Sequence, residues 1–374
     1  MPSVASRRAL RPGLDRPQTQ YAWPPSLLRS KGDRPLLYLD MNQWIYLAQA
    51  ATGHPHGKQY ESALEVLRGA AGRLVIPLSA AHYMEVEGIR DAERRSNLAK
   101  LMEELSGFVC LMPRSSVMRV ELDAALAQLL GTPSIFPSAP LLGLGALQAF
   151  GRRGGLVVRS EEEGDVTARV RQEWPGGPSA YDAFSRAANL QITRDVLRGP
   201  AGEVEVAEMR GRGWDPTVAR RIAEDRAQSE RELAQRLVTE PQYRDRARDL
   251  VSARYLAFEL VNAFKEAVVA HGRSDLVATL TEDVDTARRL TDSMPSADAW
   301  ISLLTAAHRN PQSRWKPNDI FDFDALSVAI PYCDVVVTDR HACSLANAAR
   351  LPHRLGTKVI PTLDQLASVL AGML

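Results

Sequence analysis

Leu36-Leu37-Tyr38-Leu39-Asp40-Met41-Asn42-Gln43-Trp44 is the stretch whose reading decides the fold. Its four leading apolar residues do not alternate and are too few for a helix. Such a run suits a strand buried on both faces of a parallel sheet. Asp40 ends the run, and Trp44-Ile45-Tyr46-Leu47-Ala48 then opens a helical stretch. The same order, apolar run then acid then helix, returns in Val335-Val336-Val337-Thr338-Asp339. In open parallel sheets, functional groups gather just outside the carboxyl ends of the strands, so Asp40 and Asp339 are expected at one edge. A lone aspartate after a strand also serves as a helix cap. Two in equivalent places say more than either alone.

Working outward, a helix is expected over about Lys58–Ala71, stopped by Gly72. Leu74-Val75-Ile76-Pro77-Leu78 reads as a second strand or its approach, and Ser79 as the N-cap of a helix carrying Glu85. A helix over Asp91–Ser106, a strand at Phe108–Met112 and a helix to Leu130 follow. This alternation requires parallel strands and right-handed crossovers. The rhythm breaks at the Pro/Gly-rich stretch after Gly131, and helices are expected near Tyr181–Leu197, Pro216–Leu237 and Pro241–His271. In the last, Leu250, Ala253, Ala257, Val261, Phe264 and Val268 form an apolar stripe that should face a core. After Met294 the alternation resumes, through a helix opened by Asn318-Asp319-Ile320-Phe321-Asp322, the Val335 strand, a short strand at Lys358-Val359-Ile360 and a terminal helix. The fold class is therefore α/β. A flexible arm covers 1–34, one αβ core is built from 35–131 and 294–374, and a mostly helical insertion covers 132–293.

Composition narrows the function less. Of 374 residues, 45% are hydrophobic and 24% charged, and the net charge is +1, so no global basic field advertises nucleic acid. Cys110, Cys333 and Cys343 show no zinc spacing; the odd count and the lack of a signal peptide fit a cytoplasmic protein. No apolar stretch approaches membrane-spanning length. The arginines of 210–254 alternate with acids, which reads as solvated helix faces, and Arg7, Arg8 and Arg11 as part of a solvated tail.

The chemistry rests on carboxylates. Glu85 lies on the first turns of its helix, with Glu87 turned to another side. Asp319 and Asp322 share one helical face, Asp324 turns away as a reserve, and Asp334 sits at the opposite end of its strand as a structural residue. Carboxylates gathered without nearby cations repel one another unless a divalent metal neutralises them. His82 and His341 lie close to the acids in sequence and are assigned peripheral places. Arg314, Lys316 and Arg340, with Arg309, flank the acids as candidate phosphate contacts, and Trp315 is either a stacking platform or packed into the body.

Together these segments resemble the PIN-domain nucleases. The likeness lies in Leu-Tyr-Leu-Asp40-Met-Asn42, in Ser79 six residues before Glu85, and in Asp322 followed later by Thr338-Asp339. One residue commonly separates the threonine from the last acid in that family, whereas here Asp339 follows Thr338 directly. The resemblance covers 35–131 and 294–374 and implies a PIN-like sheet flanked by helices. It further implies a nuclease, most often an endoribonuclease, with Mg²⁺ or Mn²⁺ held by Asp40, Glu85, Asp322 and Asp339 and with Asp319 as an additional or replacement ligand. Asn42, Ser79 and Thr338 would support those ligands. RNA is the implied partner, with DNA as a variant. An antitoxin-type partner and a homo-oligomer are compatible with the sequence. The competing readings are a catalytically silent module that binds RNA or protein, and a phosphatase using an aspartate nucleophile. The second is disfavoured by Asn42, where that chemistry usually has another aspartate.

Overall fold

The computed structural model describes residues 21–29, 33–136, 139–152, 156–200, 202–215, 217–278, 283–310 and 313–373. It is mixed α/β and mostly helical. Its centre is a three-stranded parallel sheet of β1 (Leu37–Leu39), β6 (Val335–Val337) and β7 (Lys358–Ile360), in the order β1-β6-β7. Leu37 pairs with Val335, Leu39 with Val337, and Val337 with Ile360. All three residues of β1 and of β6 are buried, which is why these strands read as unbroken apolar runs. Asp334 has the structural place expected of it, accepting a hydrogen bond from Leu36 N–H (2.8 Å) at the amino ends of the strands.

The expected strand at Leu74–Leu78 is present only as isolated parallel bridges, Leu36 with Val75 and Leu78 with Cys110. Pro77 between them has no N–H to give to a ladder, so pairing is interrupted there. The segment still joins β1 to β2 (Val109–Leu111). A further strand, β3 (Leu142–Leu144), pairs antiparallel with β2. The sheet pairing therefore extends past residue 131, where the insertion was expected to begin. A two-residue hairpin, β4 (Arg159–Ser160) with β5 (Gly164–Asp165), lies further along.

The N-terminal arm is also corrected in part. Residues 1–20, with Arg7, Arg8 and Arg11, lie outside the described residues, but 21–29 pack against the body. Ala22 N–H donates to Ser293 O (2.9 Å), Leu27 is buried in a short helix (Pro25–Arg29), and Trp23 meets Tyr332 edge-on.

The helical region contains Gly177–Arg198 and Val218–Thr239, close to expectation. The helix expected over Pro241–His271 is instead three pieces, Pro241–Arg244, Ala247–Arg254 and Val261–Ala270, the last two joined by a π-helical turn at Tyr255–Leu260. A π turn carries an extra residue and shifts the phase of the face that points inward. The buried series is thus Val251, Tyr255, Leu260, Phe264, Val268, while Ala253 and Ala257 are exposed. The arginines here are held in ion pairs, among them Arg221–Asp215, Arg231–Glu224 and Arg254–Glu230. No helix among the described residues is long and apolar enough to cross a membrane.

One buried acid anchors the C-terminal half. Glu121, from the helix Arg114–Leu130, accepts hydrogen bonds from Ser296 N–H (3.0 Å) and Oγ (2.6 Å) and from Tyr332 Oη (2.7 Å). It thereby satisfies the free N–H groups at the start of the helix Pro295–His308. Burial pushes its carboxyl up from 4.5 to about 7. Because the folded value lies above the unfolded one, folding takes up a proton between them. This contribution is complete below about pH 4.5 and is lost as pH rises through about 7. Glu121→Gln should remove that part of the pH dependence, seen as a flatter curve of urea midpoint between pH 5 and 7. Glu121→Ala should cost about 3 kcal/mol by stranding buried donors.

Candidate metal centre

The parallel pairing of β1 with β6 brings Asp40 beside Thr338 and Asp339 at the carboxyl edge of the sheet. Asp40 caps the helix Met41–Ala51, its Oδ1 accepting from Met41 N–H at 2.6 Å. The buried Thr338 Oγ1 donates to Asp40 Oδ2 at 3.1 Å, and the Asp339 backbone N–H adds a further bond. A carboxylate offers about four acceptor positions, so these three donors leave Asp40 about one for a cation. Glu85 arrives on the helix Ala80–Glu87 and Asp322 on the helix Pro317–Tyr332. Ligand oxygens of Asp40, Glu85 and Asp322 lie within 4.8 Å of one another.

Among the described residues, the Glu85 and Asp322 side chains make no hydrogen bond and no ion pair. That is unusual for carboxylates so largely withdrawn from water. The electrostatics follow. Burial, then the Asp40 charge, pushes the Glu85 carboxyl up to about 8. Burial, opposed by the Thr338 hydrogen bond and aided by Asp339, pushes Asp40 up to about 6. Asp322 is raised well above its ordinary value by burial and by Asp40, Glu85, Asp339 and Asp319. The donor set is all carboxylate oxygen, the kind that suits Mg²⁺ or Mn²⁺.

The other expected ligands stand at the margin. Asp339 caps the helix Arg340–Ala348 through Ala342 N–H (2.7 Å), with its charge felt by Asp40 and Asp322. Asp319 accepts from Lys316 N–H (2.8 Å) at the start of its helix and faces His341 and Asp339. Asp324 is turned away and bound by Arg226 (2.6 Å) and Arg114 (3.6 Å), which remove it from the ligand set. Glu87 points elsewhere, accepting from Trp214 Nε1.

The expected supporting residues divide. Thr338 has its place. Ser79 does not touch the acids, because its hydroxyl meets Tyr38 Oη at 3.1 Å beneath the site. Asn42 does not orient Asp40 either: it is exposed in the first turn of its helix, and Met41 and Thr338 occupy Asp40 instead. Arg314, Lys316 and Arg340 are exposed and make no ion pair among the described residues. Trp315 is no stacking platform. It is buried between His308 and Phe323.

The residue whose place was not foreseen is His82. It is fully buried, accepts from Ser79 N–H at Nδ1 (2.9 Å), and its Nε2 donates to Leu39 O (2.8 Å). The imidazole thus ties the start of the Glu85 helix to the end of the Asp40 strand. Burial pushes it down to about 4, so it stays neutral with one donor and one acceptor, as these partners require. A histidine at the third position of a helix, after a serine cap, was the available signal. His82→Ala should weaken divalent-cation binding by roughly 10–100-fold, as losing a partner that orients ligands does, measured by cation titration of the melting temperature.

No family model, no curated protein and no solved structure matches this chain in comparison.

Proposed function

We propose that this protein is a divalent-cation-dependent nuclease of PIN-like type, hydrolysing phosphodiester bonds, with RNA as the first substrate to test. The observation that carries the reading is the meeting of Asp40, Glu85 and Asp322, two of them without a proton donor or cation to balance them among the described residues. Asp40, Glu85 and Asp322 would hold Mg²⁺ or Mn²⁺, with Asp339 and Asp319 available to hydrated positions around it. Such an ion, when bound, supplies Lewis-acid polarisation of the phosphate and a water of lowered pKa. The chain's own part is positional. Thr338 and Met41 fix Asp40, and His82 holds the Glu85 helix against the Asp40 strand. Arg314, Lys316 and Arg340, exposed and without an ion pair among the described residues, would attract substrate phosphates. The deciding experiment incubates end-labelled single-stranded RNA and DNA with Mg²⁺, Mn²⁺ or EDTA. Cation-dependent cutting is expected. A protein that neither cuts nor gains thermal stability with either ion is not this enzyme.

A further inference from the structure

Tyr46 and Tyr60 stack face to face, with ring centroids 4.8 Å apart and planes inclined by 13°. Tyr46 lies one helical turn beyond the exposed Asn42 on the helix that Asp40 caps, so both occupy the face leading away from the acids. Tyr60 ends the 3₁₀ helix Pro55–Tyr60, which Gly57 allows to lie directly on the Tyr46 helix. A Cβ at Gly57 would fall 2.2 Å from Ala50 N, so this approach is specific to glycine and fixes the ring pair. Arg340 and Asp364 are the charged groups facing Tyr60, and Arg340 directly follows Asp339 in the chain. Neither tyrosine hydroxyl has a hydrogen-bond partner among the described residues, and both rings are half exposed. Core packing alone does not call for two phenols without hydrogen-bond partners among the described residues and an exposed guanidinium beside them.

We infer that Tyr46 and Tyr60, with Arg340, form a subsite that stacks an unpaired base of a single-stranded polynucleotide whose backbone runs to the acidic centre. The inference rests on the nuclease reading for the identity of the ligand, and on the rings themselves for its place. Base-on-aromatic stacking tolerates any base, and a guanidinium beside it engages the adjoining phosphate. A duplex, with its bases already stacked, cannot use such a subsite.

The test uses the full chain and an eight-nucleotide single strand, RNA or DNA, bearing the fluorescent base 2-aminopurine, in EDTA and in Mg²⁺. Binding should quench the fluorophore. Tyr60→Ala and Tyr46→Ala should each weaken binding about tenfold, the usual scale of one lost base stack. Tyr60→Trp should restore binding, and the cation-induced rise in melting temperature should persist in every variant. Binding unaffected by both alanine variants, or duplex bound as tightly as single strand, overturns the subsite. A parallel loss of the cation-induced rise shows the tyrosines to be packing residues and overturns it too, as does failure of the wild type to bind any strand. Quenching sensitive to Tyr60 in a protein that cuts nothing separates the outcomes, since the subsite then stands while the nuclease reading falls.

Discussion

Asp40→Asn should abolish cation-dependent cleavage while making the cation-free protein more stable. The two effects have one cause. Burial pushes the Asp40 carboxyl from 3.8 to about 6, so keeping it ionised at neutral pH costs stability of about 3 kcal/mol. Asparagine keeps an acceptor for Met41 N–H and a partner for the rotatable Thr338 hydroxyl, but removes the charge that repels Glu85 and Asp322. Activity should fall by more than about 100-fold, since losing even an outer partner of a metal ligand costs 10–100-fold. The melting temperature in EDTA should rise, and its increase on adding Mn²⁺ should shrink or vanish. A variant that melts lower than wild type in EDTA would mean that the three acids are not in mutual repulsion. Cutting that survives the substitution would point to another site or to a contaminant.

Asp298→Ala should be the most damaging single change to the scaffold. Asp298 is 1% exposed and binds Arg248 (2.9 Å), Arg354 and Tyr21 Oη (2.7 Å). It therefore joins the N-terminal segment, the helical region and the C-terminal part at one point. Removing it leaves Arg354 without its anion and Arg248 with Asp292 alone (2.6 Å), which costs about 3 kcal/mol in a largely buried network. Urea denaturation of the cation-free protein should show this as a lower midpoint with little change of slope. Loss of the Tyr21 contact should also open the segment before Leu36 to limited proteolysis. Asp298→Asn, which keeps one acceptor, should lose less. Equal stability of Asp298→Ala and wild type would show that the ion-pair network contributes nothing net.

The sequence was most informative where burial is two-sided. The runs around Leu39, Cys110 and Val336 became strands because a buried strand leaves no polar interruption to mislead; the edge strand at Val359, which starts on the exposed Lys358, was also legible. Asp40, Glu85 and Asp322 were legible as acids placed where such strands and their helices end. Other features were not. β3 hides in a Gly-rich stretch, Leu142–Leu144, whose residues are only half buried. With the π turn, Val251, Tyr255 and Leu260 are buried where Leu250, Ala253, Ala257 and Val261 were expected, something a fixed helical period has no means to register. His82, Glu121 and Asp298 act through partners far away in the chain, and spacing alone carries no trace of Leu39, Ser296 or Arg354. Trp315 between two cations could be read as a stacking platform or as packed into the body, and the fold turns it inward over His308.

The Thr338–Asp40 hydrogen bond joins residues 298 positions apart. A ribosome would have to release nearly the whole chain before these two could touch, because β6 is among the last segments made. The proposed metal centre, divided in this way, cannot assemble until β6 has emerged and paired with β1.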